Sequence, residues 1–194
     1  MDLLRGIRVR VYPVGRLDYA SEGLLLLTND GELAEKLMKA SSHVPKTYVV
    51  KVSGTPDESG LEKLRRGLMI SEGRFSAGRA KSSGDESSGG SPVPPDFGTS
   101  GKHKKDKRIK TAPAKVRLIR ESDNPWYEVT MIEGKNRQIR RMFEEIGHHV
   151  EKIKRVRYGP LSLDVPPGEF RRLSMGEVGK LRSAAGLAKT PKSF

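Results

Sequence analysis

The sequence predicts an α+β domain. Segments with strand-like alternation and segments with helical apolar spacing are interspersed along the chain without regular strand–helix–strand alternation. No repeat of fixed period is present, and one pair of neighbouring strand segments is joined by a turn, which makes a hairpin. With 194 residues the chain can bury one good core, or at most two small ones.

The elements follow in order. Arg8 to Val14 alternates around Val9, Val11 and Tyr12 and is expected to be a strand. Leu24 to Thr28 is a short apolar run between Gly23 and Asn29-Asp30-Gly31, which predicts a buried strand ending in a turn. Glu32 to Lys39 places Leu33, Leu37 and Met38 at helical spacing, with Asp30 as its cap. Thr47 to Val52 is a β-branched strand. Thr55-Pro56-Asp57-Glu58 predicts a helix start, with the Thr hydroxyl as cap and Leu61, Leu64 and Leu68 as the apolar stripe. Ala114 to Ile119 and Trp126 to Ile132 are strands around the turn residues Ser122 to Pro125. Asn136 to Ile146 is a basic helix with Ile139, Met142, Phe143 and Ile146 on one face and Gly147 as its stop. Val150 to Val156 alternates again, and Ser174 to Glu177 is a capping box opening a last short helix.

The middle of the chain departs from this pattern. Residues 79–110 are rich in Ser, Gly and Pro, then in Lys, and hold little that could offset the cost of ordering a backbone. A disordered linker is expected there. Its basic run from Lys102 to Lys110 suits either phosphate contact or a solvated tether.

Composition narrows the function. The formal net charge is +13, the footprint of a protein that meets a polyanion, with nucleic acid ahead of an anionic membrane surface. The bland alternative is a surplus of charge for solubility. Cysteine is absent, which excludes disulfides and thiolate metal sites. The longest apolar block, Leu24 to Leu27, is far short of a bilayer span, and no apolar stretch of signal-peptide type follows Met1. No phosphate-binding glycine fingerprint is present, and the adjacent His148 and His149 do not make a shared metal site, so neither a cofactor nor a metal is expected.

Three segments carry candidate chemistry. Gly15 to Gly23 is a glycine-bounded loop with Arg16 and Asp18 two residues apart. A carboxylate beside an arginine keeps its charge at neutral pH and can act as nucleophile or base. Taken alone, an Asp in a loop is more often a turn cap. Lys46-Thr47-Tyr48 opens a strand, where the Tyr either stacks on a base or fills core. In Gly134 to Met142, Arg137 and Arg141 are four apart and expected on one helix face, whereas Arg140 lies near the apolar stripe and needs a partner, a carboxylate by preference. From Lys135 to Arg157 there are eight basic residues against three acidic ones, a phosphate-contacting face by composition.

Together these segments resemble one family. GRLDYASEGLLLLTNDGEL, then KTYVVKVSG, then EGKNRQIRRMFEEIGHHVEKIKRVRYGPLSL are similar, in order, to the motifs of ribosomal RNA pseudouridine synthases of the RsuA/RluB type, over residues 7–175 apart from the linker. The resemblance implies a mixed, mostly antiparallel sheet with a central cleft and flanking helices. It implies isomerisation of a uridine in ribosomal RNA to pseudouridine, with no metal and no cofactor, by a cytoplasmic monomer. By the family motifs, Asp18 is the catalytic carboxylate. Tyr48 stacks on the target base, Arg140 pairs with Asp18, and Arg16 helps hold the opened RNA. Lys46, Lys135, Arg137 and Arg141 are expected RNA contacts. The rival is an RNA-binding or ribosome-assembly protein that keeps the scaffold without catalysis. Family members usually carry an N-terminal S4 domain and a first catalytic-domain strand with a Lys-Pro-Gly-like motif. Neither is in this chain, so residues 1–194 are expected to form a catalytic domain incomplete at its N-terminus.

Overall fold

The computed structural model describes Leu4, residues 6–71 and residues 107–187. Residues 72–106, and with them most of the expected linker, lie outside the described residues, as do residues 188–194.

A central sheet organises the molecule. Strands β4 (Lys46–Val52), β7 (Lys115–Arg120), β8 (Trp126–Met131), β9 (Val150–Tyr158) and β10 (Leu161–Ser162) lie in the order β10-β9-β4-β8-β7, with every neighbouring pair antiparallel. β4 occupies one edge of β9. The other edge takes β10 and, in parallel, β2 (Glu22–Gly23). The sheet is therefore mixed and mostly antiparallel, as the resemblance implied, and the expected hairpin is β7–β8.

Two apolar clusters flank this frame. In the first, Val50, Val52, Val129, Met131, Val150 and Ile153 of the sheet meet Leu61 and Leu64 of α2 (Glu58–Arg66) and Ile139, Met142 and Phe143 of α3 (Gln138–Glu145). In the second, Tyr158 and Leu161 meet Leu33, Ala34 and Leu37 of α1 (Gly31–Met38), Leu181 of α4 (Met175–Ala184), and Val14, Leu26 and Val44. β9 contributes to both clusters, Val150 and Ile153 to the first and Tyr158 to the second, and the seam between them opens beside β9 and its neighbour β4.

Local signals placed several elements. Asp30 caps α1, its carboxylate accepting from the Leu33 amide at 3.0 Å, and the same side chain accepts from Arg182 of α4 at 2.8 Å. Asp30→Ala removes both, and we expect it to lower stability by about 1–2 kcal/mol, read by thermal unfolding. The Ser174–Glu177 capping box opens α4 as expected.

Elsewhere the structure corrects the sequence reading. The strand expected over residues 8–14 shrinks to β1 (Tyr12–Pro13), which pairs with β3 (Leu27–Thr28). The run Leu24 to Thr28 is not one buried strand. Its front edge follows β2 onto β9, its end joins β1, and only Leu26 is deeply buried, with Leu25 and Leu27 more than a third exposed. A two-stranded ribbon leaves one face to solvent, so the run buries less than its composition suggests. The cap of α2 is Asp57, accepting from the Gly60 amide at 2.6 Å, not Thr55. Pro56 holds Thr55 away from the helical region, which moves the start two residues on. The end of the expected linker is a strand: β6 (Arg108–Lys110) pairs antiparallel with β5 (Met69–Ser71). Buried Ile70 and half-buried Ile109 sit in register and supply the apolar contact that the surrounding composition hides.

Candidate active site

The seam holds a cleft of about 380 Å³, within the usual range for a small-molecule or nucleotide site. Its lining includes Arg16, Asp18, Lys46, Tyr48, Lys135, Arg137, Arg140, Arg155 and Tyr158. Seven of the eight residues singled out in the sequence therefore converge, although they lie up to 124 positions apart.

The Asp18 loop is built by main chain. Ser21 donates its amide to the Asp18 carbonyl at 2.9 Å, closing the turn. No hydrogen bond reaches the Asp18 carboxylate among the described residues, so the side chain is not spent as a turn cap. The loop's two ends are tied down: Val14 donates to the Leu26 carbonyl at 2.8 Å, and β2 joins β9.

Arg140, only 4% exposed, is the buried tie between helix, sheet and loop. Its Nη1 donates to the Val150 carbonyl and its Nη2 to the Ala20 carbonyl, both at 2.6 Å. The expected pairing with Asp18 takes a different form. Among the described residues no ion pair joins the two, and the carboxylate acts on the guanidinium through space. Burial pushes the guanidinium down from its ordinary range, Arg137 adds to this, and Asp18 and Glu144 oppose it. Arg140→Lys cannot span both carbonyls, and an unsatisfied buried carbonyl costs about 1–3 kcal/mol, so we expect urea unfolding to show a loss of that size.

The other basic residues divide into distinct settings. Arg16 is exposed at the mouth. Lys135 is held by Glu133, which also accepts from Gln138 and from the Ala112 amide and so shapes the approach to α3. Burial works against the Glu133 charge, but these donors outweigh it and hold its carboxyl below the usual range. Lys46, expected as an RNA contact, lines the cleft and is buried at 7% exposure. Arg141 does not line the cleft. It donates to the Ser71 carbonyl at 2.8 Å and to Asn136 Oδ1 at 2.9 Å. The shared helix face expected for Arg137 and Arg141 fails because Arg137, at φ +48°, is the residue before the helix and not part of it.

Two cleft residues were not singled out by the sequence. Tyr158 donates its hydroxyl to the Leu37 carbonyl at 2.9 Å, and its phenol is pushed up to about 12 chiefly by burial. Arg155 is 3% exposed, its Nε donating to the Leu24 carbonyl at 2.7 Å. The available signal was an arginine two residues after Ile153 on the same strand, in a place that alternation turns inward.

A model of the family "RNA pseudouridylate synthase" matches residues 5–145. The chain belongs to that family. It is 40% identical over 192 residues to ribosomal large subunit pseudouridine synthase B of Bacillus subtilis, covering 97% of this chain and 64% of that protein. It is 32% identical to an uncharacterized RNA pseudouridine synthase of Aquifex aeolicus, covering 98% and 63%. It is 36% identical to the B-type enzyme of Salmonella typhimurium, covering 97% and 52%. The chain thus spans less than two thirds of the length of these curated relatives. A solved structure described as a pseudouridylate synthase superposes with a TM-score of 0.63 at 25% identity, over 88% of this chain and 59% of that one. The sheet described above is therefore the pseudouridylate synthase fold. No described helix is long and apolar enough to cross a membrane.

Proposed function

We propose that the protein isomerises a uridine of ribosomal RNA to pseudouridine, with Asp18 as the catalytic carboxylate. One observation carries this reading: Asp18 is the sole carboxylate among the residues lining the cleft, and six basic side chains line it too. A cationic cleft draws a phosphodiester chain and rewards its close approach. A carboxylate inside it is an anomaly for a pure RNA binder, since it repels phosphate. It is the expected group for chemistry at a sugar carbon.

The remaining parts fit this chemistry. A base inside a stack is out of reach, so the target uridine must be flipped out. Tyr48, half-buried on β4 at the cleft wall, offers the aromatic face on which the flipped base rests. Arg16 and Arg137 line the same cleft and meet the splayed backbone. The N1–C1′ bond breaks and uracil turns. C5 then bonds to C1′ as the Asp18 oxygen leaves it, or as a proton returns to C2′ of the unsaturated sugar, and the C5 proton is lost while N1 takes one up. An attack on C1′ and a route through removal of the 2′ proton both need an ionised carboxylate beside the ribose, so Asp18 serves in either. In this reading the protein acts as a monomer in the cytoplasm, where ribosomal RNA is assembled. Two of the relatives are named for the large ribosomal subunit, which makes its RNA the first to test.

The test is carbodiimide-dependent primer-extension mapping of ribosomal RNA from cells with and without the gene. One lost stop, restored by the full-length gene, is expected. An unchanged map at every uridine overturns the reading in favour of an RNA-binding scaffold.

A further inference from the structure

The cleft lining contains two buried cations that the proposed chemistry has not yet used. Lys46 and Arg155 are 7% and 3% exposed. Lys46 Nζ lies 5.1 Å, and Arg155 Cζ 5.2 Å, from the centroid of the same Tyr158 ring. No carboxylate lies within ion-pairing distance of either among the described residues. Arg155 spends its Nε on the Leu24 carbonyl, but its buried Nη2 has no hydrogen-bond partner among the described residues. Two like charges held in a dry wall without a counter-ion are costly to the fold. Burial and the nearby Arg155 both weaken the hold of Lys46 on its proton.

The sheet register shows how the pair reaches the cleft. Across β4 and β9, Lys46 faces Tyr158 and Thr47 faces Arg157, but Tyr48 faces Arg155. Val156 is thus an extra residue, a β-bulge; had the register run on unbroken, Val156 and not Arg155 would stand opposite Tyr48. Bulges beside active sites re-aim side chains. Here the bulge sets a guanidinium directly across from the tyrosine on which the base rests.

We propose that Lys46 and Arg155 form a cationic seat for the uracil anion released during catalysis, which makes both residues catalytic. The proposal rests on the pseudouridine reading. When the N1–C1′ bond breaks, its electron pair goes to N1, and the charge spreads over N1, O2 and O4. C1′ gains the Asp18 oxygen, or a double bond to C2′ once the 2′ proton has left. The base must turn before C5 bonds C1′, which releases the Asp18 oxygen or takes a proton back at C2′; the C5 proton then departs and N1 is protonated. In a site shielded from water, preorganised cations stabilise such an anion far more than solvent does, and two of them can follow its charge as it turns.

The test compares two RNAs under single turnover with the full-length protein, one with uridine and one with 5-fluorouridine at the target. Fluorine makes the departing anion less basic and less dependent on a cation. Loss of the starting nucleoside is read after digestion. Lys46→Met is expected to slow the uridine RNA by about 100-fold. The fluorinated RNA should slow by a much smaller factor, with RNA affinity nearly unchanged. Lys46→Gln serves as the second variant if Lys46→Met does not fold. Equal slowing of both RNAs overturns the seat and leaves a structural role. Weaker RNA binding with an unchanged rate at saturation also overturns it and points to a phosphate contact. A wild type that converts neither RNA sinks the isomerase reading itself.

Discussion

Asp18→Asn is expected to abolish conversion of the target uridine, by at least about four orders of magnitude under single turnover, as removal of a covalent or basic centre does elsewhere. The substitution is nearly isosteric. The turn is held by the Asp18 carbonyl and the Ser21 amide, so the loop should keep its shape. What is lost is the sole negative charge among the cleft-lining residues. RNA affinity should therefore hold or tighten, because one phosphate-repelling group has gone. Filter binding and nucleoside analysis on one preparation check both halves. Residual conversion within tenfold of wild type would remove Asp18 from the chemistry. A parallel loss of binding would make it a folding residue.

Gly23→Ala should also be damaging, for a reason remote from the reacting atoms. Gly23 sits at φ +110° in the parallel pairing of β2 with β9, facing Arg155. A Cβ there would stand 2.3 Å from the Arg155 carbonyl oxygen and 2.7 Å from its amide nitrogen. Both are backbone atoms, which cannot swing aside. The strands must part, and the Leu24 amide loses its 2.8 Å bond to the Arg155 carbonyl. The Asp18 loop is then free to drift from Arg140, which holds it through Ala20. A misplacement of about 1 Å costs about 100-fold in rate, and we expect at least that, with a lowered melting temperature. Wild-type rate in this variant would show that the loop is positioned without β2.

The contrast between these two positions shows what a chain discloses by itself. Asp30 as cap of α1, the β7–β8 hairpin, the apolar stripe of α3 and the capping box of α4 all follow from residues near one another along the chain. Asp18, Tyr48 and Arg140 emerge because the motifs around them resemble a family's, and the cleft brings the three together. Arg155 stayed hidden in a basic stretch, since charge counting does not separate a buried guanidinium from a solvated one.

The α+β class, the family and a carboxylate that proves to line the cleft were legible in the chain alone. Four features came from long-range pairing: Glu22–Gly23 joins β9, Met69–Ser71 finds Arg108–Lys110, Arg141 bonds to Ser71 outside the cleft lining, and one extra residue at Val156 brings Arg155 across from Tyr48. The physical reason is common to all four. Helical spacing and caps are set by near neighbours along the chain. Strand pairing and register are set by whichever distant edge is left open, and a one-residue shift there reverses which side chains face the site.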